Sequence, residues 1–174
     1  MNLAPYHDAV IFAERYHLGQ VRKYTGEPYV EHCFEVARLL LSRGVTDPDM
    51  IRAAILHDVL EDTNAKLWQL VELFGVTVAN YVWWLTDQYT PQACPELNRR
   101  KRKWFEAQRL SYAPHQVKTI KLADLISNTA TIVMHDPGFA RIYLEEKRNQ
   151  VALFNVPQVN RSLWLSAWEA CRED

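Results

Sequence analysis

Glycine is scarce in this chain and stands where helices end. Of 174 residues only five are glycine, and Gly19, Gly44, Gly75 and Gly138 fall at the edges of segments whose apolar residues recur at helical spacing. That punctuation predicts an all-α fold. Ala9, Phe12, Ala13 and Tyr16 make the buried stripe of a first helix over 5–18, and a turn follows at 24–28. A second helix over 29–43 presents His32, Val36, Leu39 and Leu40 on one face and stops at Gly44. Asp47-Pro48 starts a third, because an Asp cap followed by proline satisfies or removes N–H groups that would be orphaned. This helix carries Ile51, Ala54, Ile55 and His57-Asp58.

Thr63 or Asn64 is expected to cap the next helix, with Leu67, Leu70, Val71 and Phe74 as its stripe and Gly75 as its end. The Val and Tyr content of 76–85 would suit a strand, but Val78, Val82 and Leu85 keep helical spacing, and helix is expected. A long loop over 87–97 precedes a basic helix over 98–110, and three more helices are expected over 114–135, 138–154 and 157–171. The prediction is a compact bundle of about eight to ten helices over 1–174, one domain, without repeats. An apolar content of 48% is enough to fill one core at this length.

With 20 Lys plus Arg against 21 Asp plus Glu, the chain is no polycation, so coating nucleic acid or anionic membrane is not its expected role and anions must be bound locally. Cys33, Cys94 and Cys171 are odd in number and form no C-x-x-C pair, which argues against a disulfide framework or thiolate zinc site and fits a reducing, cytoplasmic setting. No apolar run approaches the roughly 18 residues that span a bilayer, and 1–12 lacks the pattern of a secretion signal. A homo-oligomer is compatible with all of this.

The informative segment is Leu56-His57-Asp58-Val59-Leu60-Glu61-Asp62-Thr63. If it is helical, His57 with Glu61 and Asp58 with Asp62 form pairs four residues apart on adjacent faces. Imidazole beside carboxylate, without thiolate, suits a first-row divalent ion such as Mn²⁺, Mg²⁺ or Fe²⁺. His32 lies one helix earlier and Asp124 on a later apolar segment. Together His32, His57, Asp58 and Asp124 are enough to hold such an ion and leave positions open for water and substrate. The bland alternative for each is a packed histidine or a solvated helix end.

These blocks resemble the HD-domain phosphohydrolases, and within them the small alarmone hydrolases related to the hydrolase half of RelA/SpoT enzymes. The resemblance runs over about 7–130. It is carried by His17-Leu18-Gly19-Gln20-Val21-Arg22-Lys23, Gly26-Glu27-Pro28-Tyr29-Val30-Glu31-His32, Ala53 through Thr63, Phe74-Gly75, Leu85-Thr86-Asp87, and Lys121-Leu122-Ala123-Asp124 with Asn128. It implies a metal-dependent helical fold that removes pyrophosphate from the 3′ position of guanosine tetra- or pentaphosphate, with the helices over about 138–172 completing it.

By the same resemblance His32, His57, Asp58 and Asp124 correspond to metal ligands, usually of Mn²⁺, and Glu61 and Asp62 to the pair that orients or deprotonates the attacking water. Arg22 and Lys23 correspond to a basic pair facing the nucleotide. Asn128 and Tyr143 match positions near the substrate, and Arg99 and Lys103 mark a basic stretch of which one or two residues reach phosphates. Trp104 beside that stretch reads equally as core or as a stacking platform. Cys33 stands where relatives commonly have proline and Leu125 where a basic residue is usual; neither departure removes a ligand. Alternatives are the same hydrolase on another nucleotide, NADPH or a deoxynucleotide, and a catalytically silent nucleotide binder.

Overall fold

The computed structural model describes residues 2–172, which are helical apart from turns, loops and one isolated antiparallel bridge between Val21 and Pro28. They form two compact units dividing between Thr86 and Asp87.

In the first unit a 3₁₀ turn at Ala4–Tyr6 leads into α1 (His7–Tyr16), followed by α2 (Val30–Ser42), α3 (Pro48–Ile55), α4 (Val59–Asp62) and α5 (Leu67–Leu85). Helix α3 is central and packs on α1, α2 and α5. Its Ile51, Ala53, Ala54 and Ile55 are fully buried, as a helix covered on several sides requires. Each such Ile or Leu contributes roughly 1.5–3 kcal/mol relative to exposure. The start of α3 is as expected: Asp47 Oδ1 accepts from the Asp49 and Met50 amides at 2.9 and 3.4 Å, with Pro48 in the first turn.

Its end is not. The helix stops at Ile55, and Leu56, His57 and Asp58 form a turn before the short α4. The imidazole Nδ1 of His57 lies 2.8 Å from the Ala54 carbonyl oxygen, giving a C-terminal carbonyl a side-chain partner and letting the chain turn there. The face pairing of His57 with Glu61 and Asp58 with Asp62 on one continuous helix is therefore corrected: a turn presents His57 and Asp58, and the short α4 carries Glu61 and Asp62.

The next helix begins at Leu67 rather than after Thr63 or Asn64, because the Thr63 hydroxyl is already engaged with the Val59 carbonyl at 2.5 Å and the Ala65 amide at 3.0 Å. Gln69 instead reaches back to the Lys66 amide at 2.8 Å. Gly75, with φ 84°, interrupts α5 at the expected place, and the segment after it is helix rather than strand.

The second unit holds α6 (Arg99–Ser111), α7 (His115–His135), α8 (Pro137–Leu153) and α9 (Arg161–Ala170). Here α7 is central, packing on α8 and α9, and it buries residues on every side, among them Ile120, Leu122 and Asp124. The last helix starts at Arg161, not near 157, because the Asn160 side chain accepts from the Leu163 amide at 3.1 Å. The loop before α6 is held by Glu106, a buried carboxylate that accepts from the Gln88 and Tyr89 amides at 2.9 and 3.1 Å and pairs with Arg109.

Candidate metal centre and nucleotide site

Helix α2 and the turn after α3 bring His32, His57 and Asp58 together within the first unit. Both imidazoles are buried, at 2% and 1% exposure, with ring centroids 5.2 Å apart. Asp58 Oδ2 lies 2.9 Å from His57 Nε2 and 3.8 Å from His32 Nε2. A carbonyl oxygen only accepts, so His57 donates from Nδ1 to Ala54, and Nε2 is the ring nitrogen on the Asp58 side. When neutral, an imidazole nitrogen and a carboxylate oxygen at this spacing can share one cation. The donor set is that of a divalent first-row ion, with an outer hydrogen bond fixing the tautomer of a ligating histidine.

Tyr29 supports the carboxylate from behind. Its hydroxyl donates to Asp58 Oδ2 at 2.7 Å, and burial, followed by the charges of Asp58 and Asp62, raises its pKa so that it stays a donor. The Asp62 carboxyl also shares Tyr29; desolvation and then the Asp58 charge raise its pKa, with the phenol bond opposing. Gln20 Nε2 donates to the Asp62 carbonyl at 2.7 Å, and Gln20 Oε1 lies 2.7 Å from Nδ1 of the buried His17. Glu61, on α4, is exposed.

Sequence reasoning assigned no role to His17, Gln20 or Tyr29, although all three lie in the blocks that carry the resemblance. Their place in those blocks, which also carry His32 and Asp62, is the signal that could have found them. Tyr29→Phe removes one charge-assisted hydrogen bond to Asp58 and is expected to lower the affinity for a divalent ion about 10- to 100-fold, as loss of a ligand's hydrogen-bond partner does. Calorimetric titration of the metal-free protein measures this, and unchanged affinity would detach Tyr29 from the centre.

Arg22 and Lys23 lie in the turn whose ends are joined by the Arg22 amide on the Glu27 carbonyl at 2.8 Å. The Arg22 guanidinium is 3.5 Å from Glu35, and Lys23 Nζ is 3.0 Å from the Tyr24 hydroxyl.

In the second unit Asp124 is buried on α7, accepting from Asn128 Nδ2 at 2.6 Å and pairing with Lys121 at 2.9 Å. Tyr143, buried on α8, has its phenol pKa raised by burial and then by the Asp124 charge. Arg99 and Lys103 are engaged elsewhere: Arg99 makes a two-pronged pair with Glu146 at 2.8 and 2.9 Å, and Lys103 pairs with Asp87 at 2.6 Å. Trp104 is 57% exposed, so the core reading is corrected; it borders a groove of about 1330 Å³ between α6 and α8.

Lys147 shares a pocket with Asp87, Lys103 and Lys121. Burial, and then the like charges of Lys121 and Lys103, push its ammonium down to about 8. An ammonium that loses its proton more easily when folded destabilises the fold wherever the unfolded chain keeps that proton. The penalty is full below the folded value and fades as pH rises toward the ordinary 10.5. Lys147→Met is expected to stabilise the protein by on the order of 2 kcal/mol at pH 7, with the gain vanishing near the unfolded value. Urea denaturation at both pH values measures it, and a pH-independent difference would contradict it.

The HD domain family model matches residues 9–147, running across both units. A guanosine-3′,5′-bis(diphosphate) 3′-pyrophosphohydrolase of Danio rerio is 39% identical over 126 residues, 70% of this chain and 65% of that protein, so the match spans just under two thirds of the relative. The Drosophila melanogaster protein of the same name is 31% identical over 84% of this chain and 78% of its own. A solved structure of a metazoan ortholog of SpoT, described as hydrolysing ppGpp and acting in starvation responses, superposes with a TM-score of 0.84 at 26% identity. That superposition covers 98% of this chain and 95% of the other. A Listeria monocytogenes crystal structure shares the fold, with a TM-score of 0.64 at 23% identity over 85% and 96% of the two chains. The family match takes in both histidines of the centre, the His57-Asp58 pair at its turn and Asp124, and the chain belongs to the HD domain family.

Proposed function

We propose that this chain is a metal-dependent hydrolase that removes pyrophosphate from the 3′ position of guanosine tetra- or pentaphosphate, giving GDP or GTP. The observation that carries the reading is the convergence of His32, His57 and Asp58 at a turn followed directly by Glu61 and Asp62, in a chain resembling hydrolases named for that reaction. We assign His32, His57, Asp58 and Asp124 as the ligands of the ion, taken as Mn²⁺, with Mg²⁺ and Fe²⁺ as the other candidates. The place of Asp124 in that set rests on the resemblance.

When bound, such an ion neutralises phosphoryl charge and acidifies a water. The chain's own residues do the rest. Glu61 is exposed, with a route to solvent for the proton it takes from the attacking water, and Asp62, held at its carbonyl by Gln20 and at its carboxyl by Tyr29, orients that water. Arg22 and Lys23 clamp the phosphates, a planar fork and a point charge suited to a polyanion. Asn128 and Tyr143 contact the nucleoside side, and Arg99 and Lys103 are in reach of phosphates only by leaving Glu146 and Asp87. We read the whole chain as one HD-type domain working in the cytoplasm, with a nucleotide as its partner and no nucleic acid or membrane. No helix among the described residues is long and apolar enough to cross a membrane.

The test is turnover by the metal-stripped protein, reloaded with Mn²⁺, of guanosine tetraphosphate, GTP, dATP and NADPH side by side. Preferred release of pyrophosphate from the tetraphosphate supports the reading. Preference for another nucleotide would keep the centre and overturn the substrate, and no turnover would make the chain a silent binder. Arg22→Ala is expected to raise KM for the tetraphosphate by roughly 10-fold with kcat little changed, as loss of a charged hydrogen bond to bound substrate does. A change in thermal stability alone would return Arg22 to a surface role.

A further inference from the structure

The fully buried Cys33 follows His32 on α2 and is in no disulfide. Its Sγ and one ligand atom each of His57 and Asp58 lie within 4.8 Å of one another. A buried cysteine that only fills a core has apolar neighbours on its sulfur; this one shares its surroundings with an imidazole nitrogen and a carboxylate oxygen. Bonds of about 2.0 Å to nitrogen or oxygen and 2.3 Å to sulfur place two ligands of one ion roughly 3–4.5 Å apart, so the cluster is at the scale of a metal site.

Resting on the reading of His57 and Asp58 as metal ligands, we propose that Cys33, His57 and Asp58 form a second, thiophilic binding mode of the centre. It takes Zn²⁺, Co²⁺ or Cd²⁺ in place of the hard catalytic ion. Sulfur is the donor that separates the two modes: carboxylate and imidazole accept Mn²⁺ or Mg²⁺, whereas thiolate selects borderline and soft ions. On binding, the Cys33 thiol gives its proton to solvent and the sulfur lone pair to the metal. Because both modes use His57 and Asp58, they exclude each other. A thiophilic ion thus displaces the catalytic one, and the protein responds to the ratio of the two ion classes.

The experiment is titration of the metal-free, full-length protein with Co²⁺, followed by absorption. The wild type is expected to show a near-ultraviolet thiolate-to-cobalt charge-transfer band saturating at one equivalent, together with visible d–d bands. Cys33→Ala and the near-isosteric Cys33→Ser are expected to lose the charge-transfer band, with Cys94 and Cys171 still present, and to bind Cd²⁺ at least about 10-fold more weakly. Helical circular dichroism confirms that each variant is folded, and the serine variant carries the comparison if the alanine variant is not. Wild type showing d–d bands without charge transfer would overturn the proposal and leave the metal centre standing. A charge-transfer band that persists in folded Cys33→Ser would overturn it in favour of another cysteine, and no cobalt absorption of either kind would overturn the proposal and the metal centre together.

Discussion

Replacing Asp58 by alanine is expected to abolish both tight metal binding and turnover. Asp58 Oδ2 is the atom shared by His57 Nε2 at 2.9 Å, His32 Nε2 at 3.8 Å and the Tyr29 hydroxyl at 2.7 Å. Loss of a hydrogen-bond partner of a ligand alone lowers metal affinity about 10- to 100-fold, and loss of the carboxylate that faces both imidazoles should exceed that. A fall in kcat/KM of at least about 10³, some 4 kcal/mol of transition-state stabilisation, is expected. Equilibrium dialysis with metal analysis gives the binding side and steady-state kinetics the turnover side. Undiminished turnover in the variant would remove this site from the chemistry.

Glu61→Gln separates holding the ion from activating water. The variant keeps the size of the side chain and the helical turn, in which the Glu61 amide donates to the Asp58 carbonyl at 3.2 Å, and removes only the negative charge and its capacity to take a proton. Metal content should match the wild type while kcat falls by about 10²–10⁴, the usual worth of a positioned general base. If the variant instead loses its ion, Glu61 is a ligand. If it loses neither, Asp62 carries the proton transfer.

What the sequence made legible follows the range of the interactions involved. The start of α3 needs only Asp47 and Pro48, neighbours in the chain, and was readable; so was the break at Gly75, which depends on one residue's backbone. The turn at 56–58 was not, because a helical spacing continues through it and only the His57 bond back to Ala54 reveals that the helix has ended. The ligand candidates were legible as residue types and through family resemblance, yet the donor from Tyr29 to Asp58 joins residues 29 apart, and Gln20 reaches Asp62 across 42. No periodicity reports such pairs. The basic run shows the same limit from the other side: five adjacent cations look alike in sequence, and Glu146, 47 residues beyond Arg99, and Asp87, 16 before Lys103, single out two of them. Trp104, equally core or surface by pattern, is decided only by its exposure.

The most direct test of the central claim is hydrolysis of guanosine tetraphosphate in ¹⁸O-labelled water by the metal-stripped protein, with and without added Mn²⁺, read by mass analysis of both products. GDP and pyrophosphate are expected in equal amounts, formed only with the ion present, with one labelled oxygen in the pyrophosphate and none in GDP, the outcome of water attacking the phosphorus attached to the 3′ oxygen. Release of labelled orthophosphate with the 3′ oxygen still phosphorylated, or equal turnover without any divalent ion, would contradict it.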